Sequence, residues 1–211
     1  MAFLSRREIL ALALAERVTP MRASDSDFWN RKPPANWTPE EIDRLLRDSP
    51  WAKEITPTYT SQPPQTDNRP WSENPPIGGV PGRVPKISAK VPYHAIIRWE
   101  SAEPIRQAQK SALPAAFRAH HVLGVLLKNA KDLGPRASED LKHSAVLVGS
   151  RAVDAEIVQV HPASKYGFLI AFPKTVTSDD RHLQFSARAG RLAFKAKFNT
   201  GDVLYHGQLA L

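Results

Sequence analysis

The sequence predicts an α+β protein whose core is a C-terminal antiparallel β-sheet, arranged as a sandwich- or barrel-like meander. Segment 153–211 divides into runs of strand length separated by turn-forming residues, a pattern typical of successive antiparallel strands. A short capped amphipathic helix precedes it, and a proline-rich segment joins the two. We therefore divide the chain into a leader (1–23), a tryptophan-rich helical docking segment (24–56), a proline-rich linker (57–92) and a β-rich core domain (93–211).

The leader fits two descriptions. Ser5, Arg6 and Arg7 open an approximate twin-arginine export motif, and the alternating Ala/Leu run after them has the character of a signal-peptide core. Ser5 and Glu8 equally form a Ser-x-x-Glu capping box of an ordinary amphipathic helix. Because a second capped helix downstream can begin the mature chain, we favour the signal peptide. We expect export to the periplasm or the cell exterior, with the export machinery as a partner; a cytoplasmic location is the alternative.

The docking segment predicts a helix over residues 39–47. Thr38 is a good N-cap, Pro39 suits the first helical position, and Glu41 completes a Thr-x-x-Glu capping box. A helix this short is not stable alone in water, so it must dock on something else. Four aromatic residues bracket it and are expected to pack it against the core: Phe28, Trp29, Trp37 and Trp51. The alternative is an exposed aromatic platform for a sugar or a peptide.

The linker is expected to be an extended strap. Prolines recur throughout residues 57–92, with glycines between some of them, and such composition favours polyproline-like chain over helix or central strand. Trp71 is expected to pin the strap midway. The alternative is a ligand for a proline-reading domain.

The first half of the core domain predicts mixed structure. Residues 93–100 have the composition of a strand, and Ser101 is expected to cap a short helix within 103–112. Residues 119–127 form an apolar run that periodicity cannot assign to helix or strand, with strand favoured for its second half. Residues 138–145 predict one or two helical turns.

Composition excludes several classes of chemistry. The chain has no cysteine, so disulfides, thiolate metal sites, iron–sulfur clusters and a cysteine nucleophile are ruled out. It also lacks a nucleophile elbow, a phosphate-binding glycine loop, a dinucleotide fingerprint and a zincin motif. No later segment reaches the length of an apolar membrane span. We expect no cofactor and lean towards a protein that is not an enzyme.

Two groups of residues are weak candidates for chemistry. His120, His121 and His143 form the nearest approach to a metal set, but adjacent histidines in a strand point to opposite faces. Glu100 and Glu103 are a candidate acid/base pair for hydrolysis of an envelope polymer. Both lie near arginines, which makes surface ion pairs the simpler explanation.

A basic sheet face is the candidate binding surface. In segment 191–198 apolar and basic residues alternate, which indicates an antiparallel strand with one wet face. The net charge is +8, and all seven histidines lie in the core domain. The residues expected on this surface are Arg188, Arg191, Lys195 and Lys197, with His182 nearby. Single-stranded nucleic acid is a possible partner, although the phenylalanines that would stack its bases, Phe185, Phe194 and Phe198, alternate to the inward face.

Two stretches carry a family resemblance. The run FWNRKPPANWTPEEIDRLLRDSPWAKEI resembles the start of the mature chain in a group of exported proteins of soil Acidobacteria, which carry a W-T-x-E-E helix followed by S-P-W-A-K. FLIAFPKT and RLAFKAKFNTGDVLYHGQLAL are similar to the C-terminal strands of that group. The resemblance implies export and a β-rich C-terminal domain. It implies no activity, cofactor or site residue.

Together these observations predict an exported, non-catalytic protein that binds or scaffolds an envelope protein or polymer. The first alternative is a cytoplasmic single-stranded nucleic-acid-binding protein that uses the basic sheet face. The second is a hydrolase of envelope polymer that uses the glutamate pair.

Overall fold

The computed structural model describes residues 27–60, 93–128, 133, 135–164, 166–177 and 179–211. The export motif Ser5, Arg6 and Arg7, most of the linker, and Trp71 lie outside the described residues. Within the described part, helices and antiparallel strands confirm the predicted α+β class with a β-rich C-terminal part. No helix in this part of the chain is long and apolar enough to cross a membrane.

Four α-helices and twelve strands make up the described chain. The helices are α1 (Phe28–Arg31), α2 (Pro39–Arg47), α3 (Glu103–Gln109) and α4 (Ala137–Ser144). The strands are β1 (Ala52–Ile55), β2 (Thr58–Tyr59), β3 (Ala95–Trp99), β4 (His120–Leu127), β5 (Val146–Val148), β6 (Ala152–Asp154), β7 (Ile157–Val160), β8 (Gly167–Pro173), β9 (His182–Ala189), β10 (Leu192–Asn199), β11 (Leu204–Tyr205) and β12 (Gln208–Leu209).

The strands form a sandwich of two antiparallel sheets. The first sheet has the order β1-β3-β4-β8-β7, and the second has the order β2-β10-β9-β5-β6. Their inner faces share one apolar core. Aromatic rings meet across it edge to face, Trp99 with Phe198 at 5.5 Å and Phe172 with Phe185 at 6.3 Å between ring centroids. Such pairs contribute beyond the burial of their area.

The predicted meander is interrupted because the chain changes sheets. It crosses from the second sheet to the first between β6 and β7 and returns after β8, so the successive strands of the last part pair within one sheet as two separate hairpins, β7–β8 and β9–β10. The final run, predicted as one strand, folds into a separate hairpin of β11 and β12, which we call the tail hairpin (residues 203–211). His206 and Gly207 form its turn with positive φ angles of 49° and 78°. A two-residue turn of this hand suits the twist of paired strands.

Helix α2 and its aromatic neighbours pack as predicted. The Thr38 hydroxyl accepts the Glu41 backbone N–H at 3.3 Å, and the Glu41 carboxylate accepts the Thr38 N–H at 2.9 Å, which is the predicted capping box on α2. All four bracketing aromatic residues are buried. Trp29 contacts the Trp51 ring edge to face with 5.3 Å between centroids. The aromatic residues therefore belong to the core, and the exposed platform is not formed.

Three local details differ from or sharpen the sequence prediction. Ser101 does not cap α3, whose N-cap is Ala102 without a side-chain hydrogen bond; the Ser101 hydroxyl instead accepts the Val122 backbone N–H at 2.9 Å. The ambiguous apolar run is strand along its whole length as β4, since both its faces are covered. The predicted helical turns near residue 140 form α4.

Candidate functional site

The basic face is the outer surface of the β9–β10 hairpin in the second sheet. Leu192, Phe194, Ala196 and Phe198 point into the core, as predicted. The opposite face of the hairpin exposes the predicted cations, Arg188 on β9 and Lys195 and Lys197 on β10, while Arg191 is exposed at the turn. The register places Lys195 opposite Ser186 and Lys197 opposite Gln184. Each of the two lysines therefore has a neutral polar residue as its direct cross-strand neighbour, while Arg188 lies opposite Ala193 and near Glu139 and Asp140.

The hairpin is held in place by α4. The Ser144 hydroxyl accepts the Arg188 N–H at 2.8 Å, and its single proton faces the Asp140 carbonyl at 2.6 Å and the Arg188 carbonyl at 3.0 Å. The Asp140 carboxylate accepts the Gly190 N–H at 2.8 Å. These bonds use backbone groups of the hairpin and leave the Arg188 side chain exposed. In the part of the chain that the structure describes, none of the four predicted cations forms a salt bridge.

Phe185, Phe194 and Phe198 lie in the core, each at most 1% exposed. The two central strands of the second sheet thus expose charge and hydrogen-bonding groups without a stacking ring. His182, predicted near this face, lies at its end and contacts the Asn199 side-chain oxygen at 2.9 Å.

Glu100 and Glu103 occupy different environments. Glu103 is exposed at the start of α3 and lines an open cleft. Glu100 is only 2% exposed and is not part of that cleft lining. The ion pair expected at Glu100 forms with Arg98, but it lies inside the protein and not on its surface as predicted. The two carboxylates do not form the shared open site that a hydrolytic pair needs.

The Glu100 carboxylate is saturated by buried partners. Arg98 donates to it from Nε at 2.9 Å and from Nη2 at 2.7 Å, and Gln109 donates from its amide at 3.0 Å. Burial opposes ionisation, but His161 and Arg98 outweigh it and hold the pKa of Glu100 below its usual value. Gly124 makes room for this arrangement, because a Cβ there would lie 2.6 Å from the Glu100 oxygen.

His161 belongs to the same cluster, and the sequence offered no sign of it. Its Nε2 lies 3.4 Å from the Glu100 carboxylate. Its Nδ1 accepts the Ala163 backbone N–H at 3.1 Å. Since an accepting nitrogen carries no proton, the ring proton lies on Nε2 and points to Glu100. The cluster of Arg98, Glu100, Gln109 and His161 is a satisfied polar core on the outer side of the first sheet.

The three candidate metal histidines do not meet. His120 and His121 point to opposite faces of β4, and His143 lies on α4. His120 Nε2 contacts the Glu156 carboxylate at 2.9 Å. Across the described residues, no group of histidine and carboxylate side chains has the geometry of a metal site.

His121 is buried against Trp99, with ring centroids 6.1 Å apart. Neither of its ring nitrogens has a hydrogen-bond partner among the described residues. Burial, and then the nearby positive charge of Lys174, lower the pKa of His121 to about 4. The Leu211 backbone partly offsets this shift without reaching hydrogen-bond geometry. His121 is therefore neutral at physiological pH.

The cleft that contains Glu103 has a volume of about 550 Å³. It lies between α3, the segment before β4, the residue after β8 and the tail hairpin. Arg106, Arg118 and Lys174 contribute its cationic side chains. Sequence reasoning did not find them because they come from three separate elements, and only the sandwich topology brings them to one place.

Comparison with known proteins adds no relative. No family model matches the chain, and no curated protein and no solved structure shows a match. The fold class and the geometry of the described residues are therefore the basis for proposing a function.

Proposed function

We propose that the protein is an exported, non-catalytic binding protein of the cell envelope that binds an anionic polymer through the basic face of the β9–β10 hairpin. The observation that carries the proposal is a set of exposed cations on the outer face and turn of one hairpin, none of which forms a salt bridge with a described residue: Arg188, Arg191, Lys195 and Lys197. Unpaired cations attract polyanions, and the attraction does not depend on a closed pocket.

The hairpin strands give the surface its regularity. Lys195 and Lys197 are two residues apart on β10, so their side chains leave the same face about 7 Å apart along the strand. Arg188 lies on the neighbouring strand opposite Ala193. Such an array suits an extended chain of repeating negative charges better than a compact ligand.

A carboxylated polysaccharide fits this surface better than a single-stranded nucleic acid. Sequence-tolerant binders of single strands combine charge with aromatic rings on which bases stack, and each stacked base contributes about 1–3 kcal/mol. The phenylalanines of this hairpin face the core. A polymer that binds through charge alone needs no such rings.

The export part of the proposal rests on sequence. The motif at Ser5, Arg6 and Arg7 approximates a twin-arginine signal. Recovery of the protein from fractionated native cells, followed by N-terminal sequencing, tests this part. A start near residue 24 in the exported fraction supports export, whereas intact Met1 in the cytoplasmic fraction contradicts it.

The binding experiment uses the purified chain and polygalacturonate, a carboxylated polysaccharide, in titrations from low to high salt. We expect binding that weakens linearly on a log–log plot against salt, since binding releases counterions. Neutral dextran serves as the uncharged polymer and an oligothymidylate as the nucleic acid. We expect no binding to dextran, and weaker binding to the oligonucleotide than to polygalacturonate.

The variant R188Q/K195Q/K197Q removes charge from the face, and R44Q/K128Q/R151Q removes the same number of exposed cations elsewhere. We expect the first variant to flatten the salt dependence and weaken polygalacturonate binding at least about tenfold, and the second to retain most of it. Equal losses in the two variants would show a non-specific charge effect and contradict the proposed site. Preferential binding of the oligonucleotide would favour the nucleic-acid alternative.

A further inference from the structure

The cleft of about 550 Å³ beside α3 has the size of a small-molecule site. Its walls come from parts of the chain that are distant in sequence: α3, residues 112–118, Lys174 after β8, and the tail hairpin. It is separate from the basic face on the second sheet, because the two lining sets share no residue.

Positive charge converges on this cleft without being neutralised. Arg106, Arg118 and Lys174 are exposed there, and no salt bridge within the described ranges involves any of them. Glu103 is the acidic side chain in the lining, and its carboxylate already accepts the Gln107 amide at 3.0 Å. Among the side chains of the lining, three cations outnumber one carboxylate, which favours an anionic ligand.

The lining also has an apolar part. Leu113, Leu209 and Leu211 line the cleft and are partly buried. Leu113 packs against the small apolar cluster on the outer side of the first sheet, while Leu209 and Leu211 pack against the main core. A ligand that fills the cleft therefore meets hydrocarbon as well as charge.

The wall formed by the tail hairpin is held by hydrogen bonds to three other elements. Trp51 Nε1 donates to the Ala210 carbonyl at 2.7 Å, and the Tyr205 hydroxyl donates to the Gln107 side-chain oxygen at 2.7 Å. The His206 N–H donates to the Asn30 side-chain oxygen at 2.9 Å. Because the wall is already ordered, a ligand does not have to order it on binding.

One polar group in the lining lacks a partner. His120 lines the cleft, its Nε2 faces Glu156, and its buried Nδ1 has no hydrogen-bond partner among the described residues. A buried polar atom is usually satisfied. Because this nitrogen is shielded from solvent, a molecule in the cleft does not reach it, and the class of ligand follows from the exposed cations and the leucines instead.

We propose that this cleft binds a small amphipathic anion, in which an oxyanion headgroup, carboxylate or phosphate, is attached to a short apolar body. Arg106, Arg118 and Lys174 hold the headgroup, and Leu113, Leu209 and Leu211 contact the apolar body. This assignment does not rest on polymer binding at the hairpin face, since it uses different residues and a different class of ligand.

The test is calorimetric titration of the full chain with four probes below their micelle concentrations: octanoate, octyl phosphate, inorganic phosphate and octanol. We expect octanoate or octyl phosphate to bind at least about tenfold more tightly than both inorganic phosphate and octanol, since each single-feature probe lacks half of the contacts. The better of the two anions identifies the headgroup. The proposal is overturned if neither amphipathic anion binds with a millimolar or lower dissociation constant. It is also overturned if inorganic phosphate binds as tightly as the amphipathic anions.

Variants locate the site. R106Q/R118Q/K174Q is expected to weaken the amphipathic anion at least about tenfold, because charge-assisted hydrogen bonds are lost. R188Q/K195Q/K197Q, on the hairpin face, is the matched control and is expected to bind it like the parent chain. Equal weakening in both variants, with unchanged urea midpoints, places the anion outside the cleft and overturns the proposal. Loss of polymer binding by R188Q/K195Q/K197Q with retained binding of the amphipathic anion supports two separate sites.

Discussion

The substitution His121→Phe is expected to remove much of the acid sensitivity of folding. In the folded protein the pKa of His121 lies at about 4, against 6.5 for the ordinary side chain. The unfolded chain therefore takes up a proton as the pH falls through 6.5, while the folded chain stays neutral until about 4. Protonation of His121 in the unfolded chain therefore does not destabilise the protein above pH 6.5. The free energy of unfolding then falls progressively as the pH drops from 6.5 to 4.

The two pKa values give the magnitude of this pH-dependent change in the free energy of unfolding. Proton linkage predicts that His121 lowers the free energy of unfolding by about 2–3 kcal/mol between pH 7.5 and pH 4.5. Phenylalanine cannot take up a proton, so its variant lacks this contribution. At pH 7.5 we expect the variant to be at least as stable as the parent, since it removes two ring nitrogens that have no hydrogen-bond partner among the described residues.

Urea unfolding at both pH values measures the effect as a difference of differences, which cancels the pH dependence of all other groups. The parent chain should lose about 2–3 kcal/mol more than His121→Phe between pH 7.5 and 4.5. His143→Gln, exposed on α4, is the control and should lose as much as the parent. If His121→Phe loses the same amount as the parent, the buried, neutral state of His121 is refuted.

Two further substitutions test the polar core and the helix cap. Glu100→Gln leaves Arg98 buried without its countercharge and is expected to lower the free energy of unfolding by about 3 kcal/mol. The control Glu103→Gln should stay within about 0.5 kcal/mol of the parent in the same urea titrations. Equal effects of the two substitutions would contradict the different burial of the two carboxylates. Thr38→Ala removes the N-cap of α2 and should cost about 1 kcal/mol. A double-mutant cycle with Glu41→Ala should show coupling, because the two side chains cap reciprocally, and strict additivity would argue against the capping box.

The predictions that succeeded rest on local signals. The α2 helix is encoded by Thr38, Pro39 and Glu41 within four consecutive residues, and the solvent-exposed face of β10 is encoded by an alternation over 191–198 that is interrupted at Ala193. Both patterns are complete within a few residues of sequence, so no tertiary information was needed to find them.

The polar core and the cleft could not be found in this way. Glu100 meets His161 only because β3, β4 and β8 pair in one register and Gly124 leaves space between them. The positions of the three cations around the cleft likewise depend on how the fold brings separate elements together. Ser101 was misassigned for a related reason, because a tertiary hydrogen bond to Val122 competes with capping.

The tail hairpin makes folding of the N-terminal segment depend on residues that are synthesised much later. Trp51 bonds Ala210 across 159 positions of sequence, and Asn30 bonds His206 across 176. Contacts of such long range form slowly, since a long loop must close before they form. The aromatic cluster around α2 therefore has its final partners only after residues 203–211 have left the ribosome.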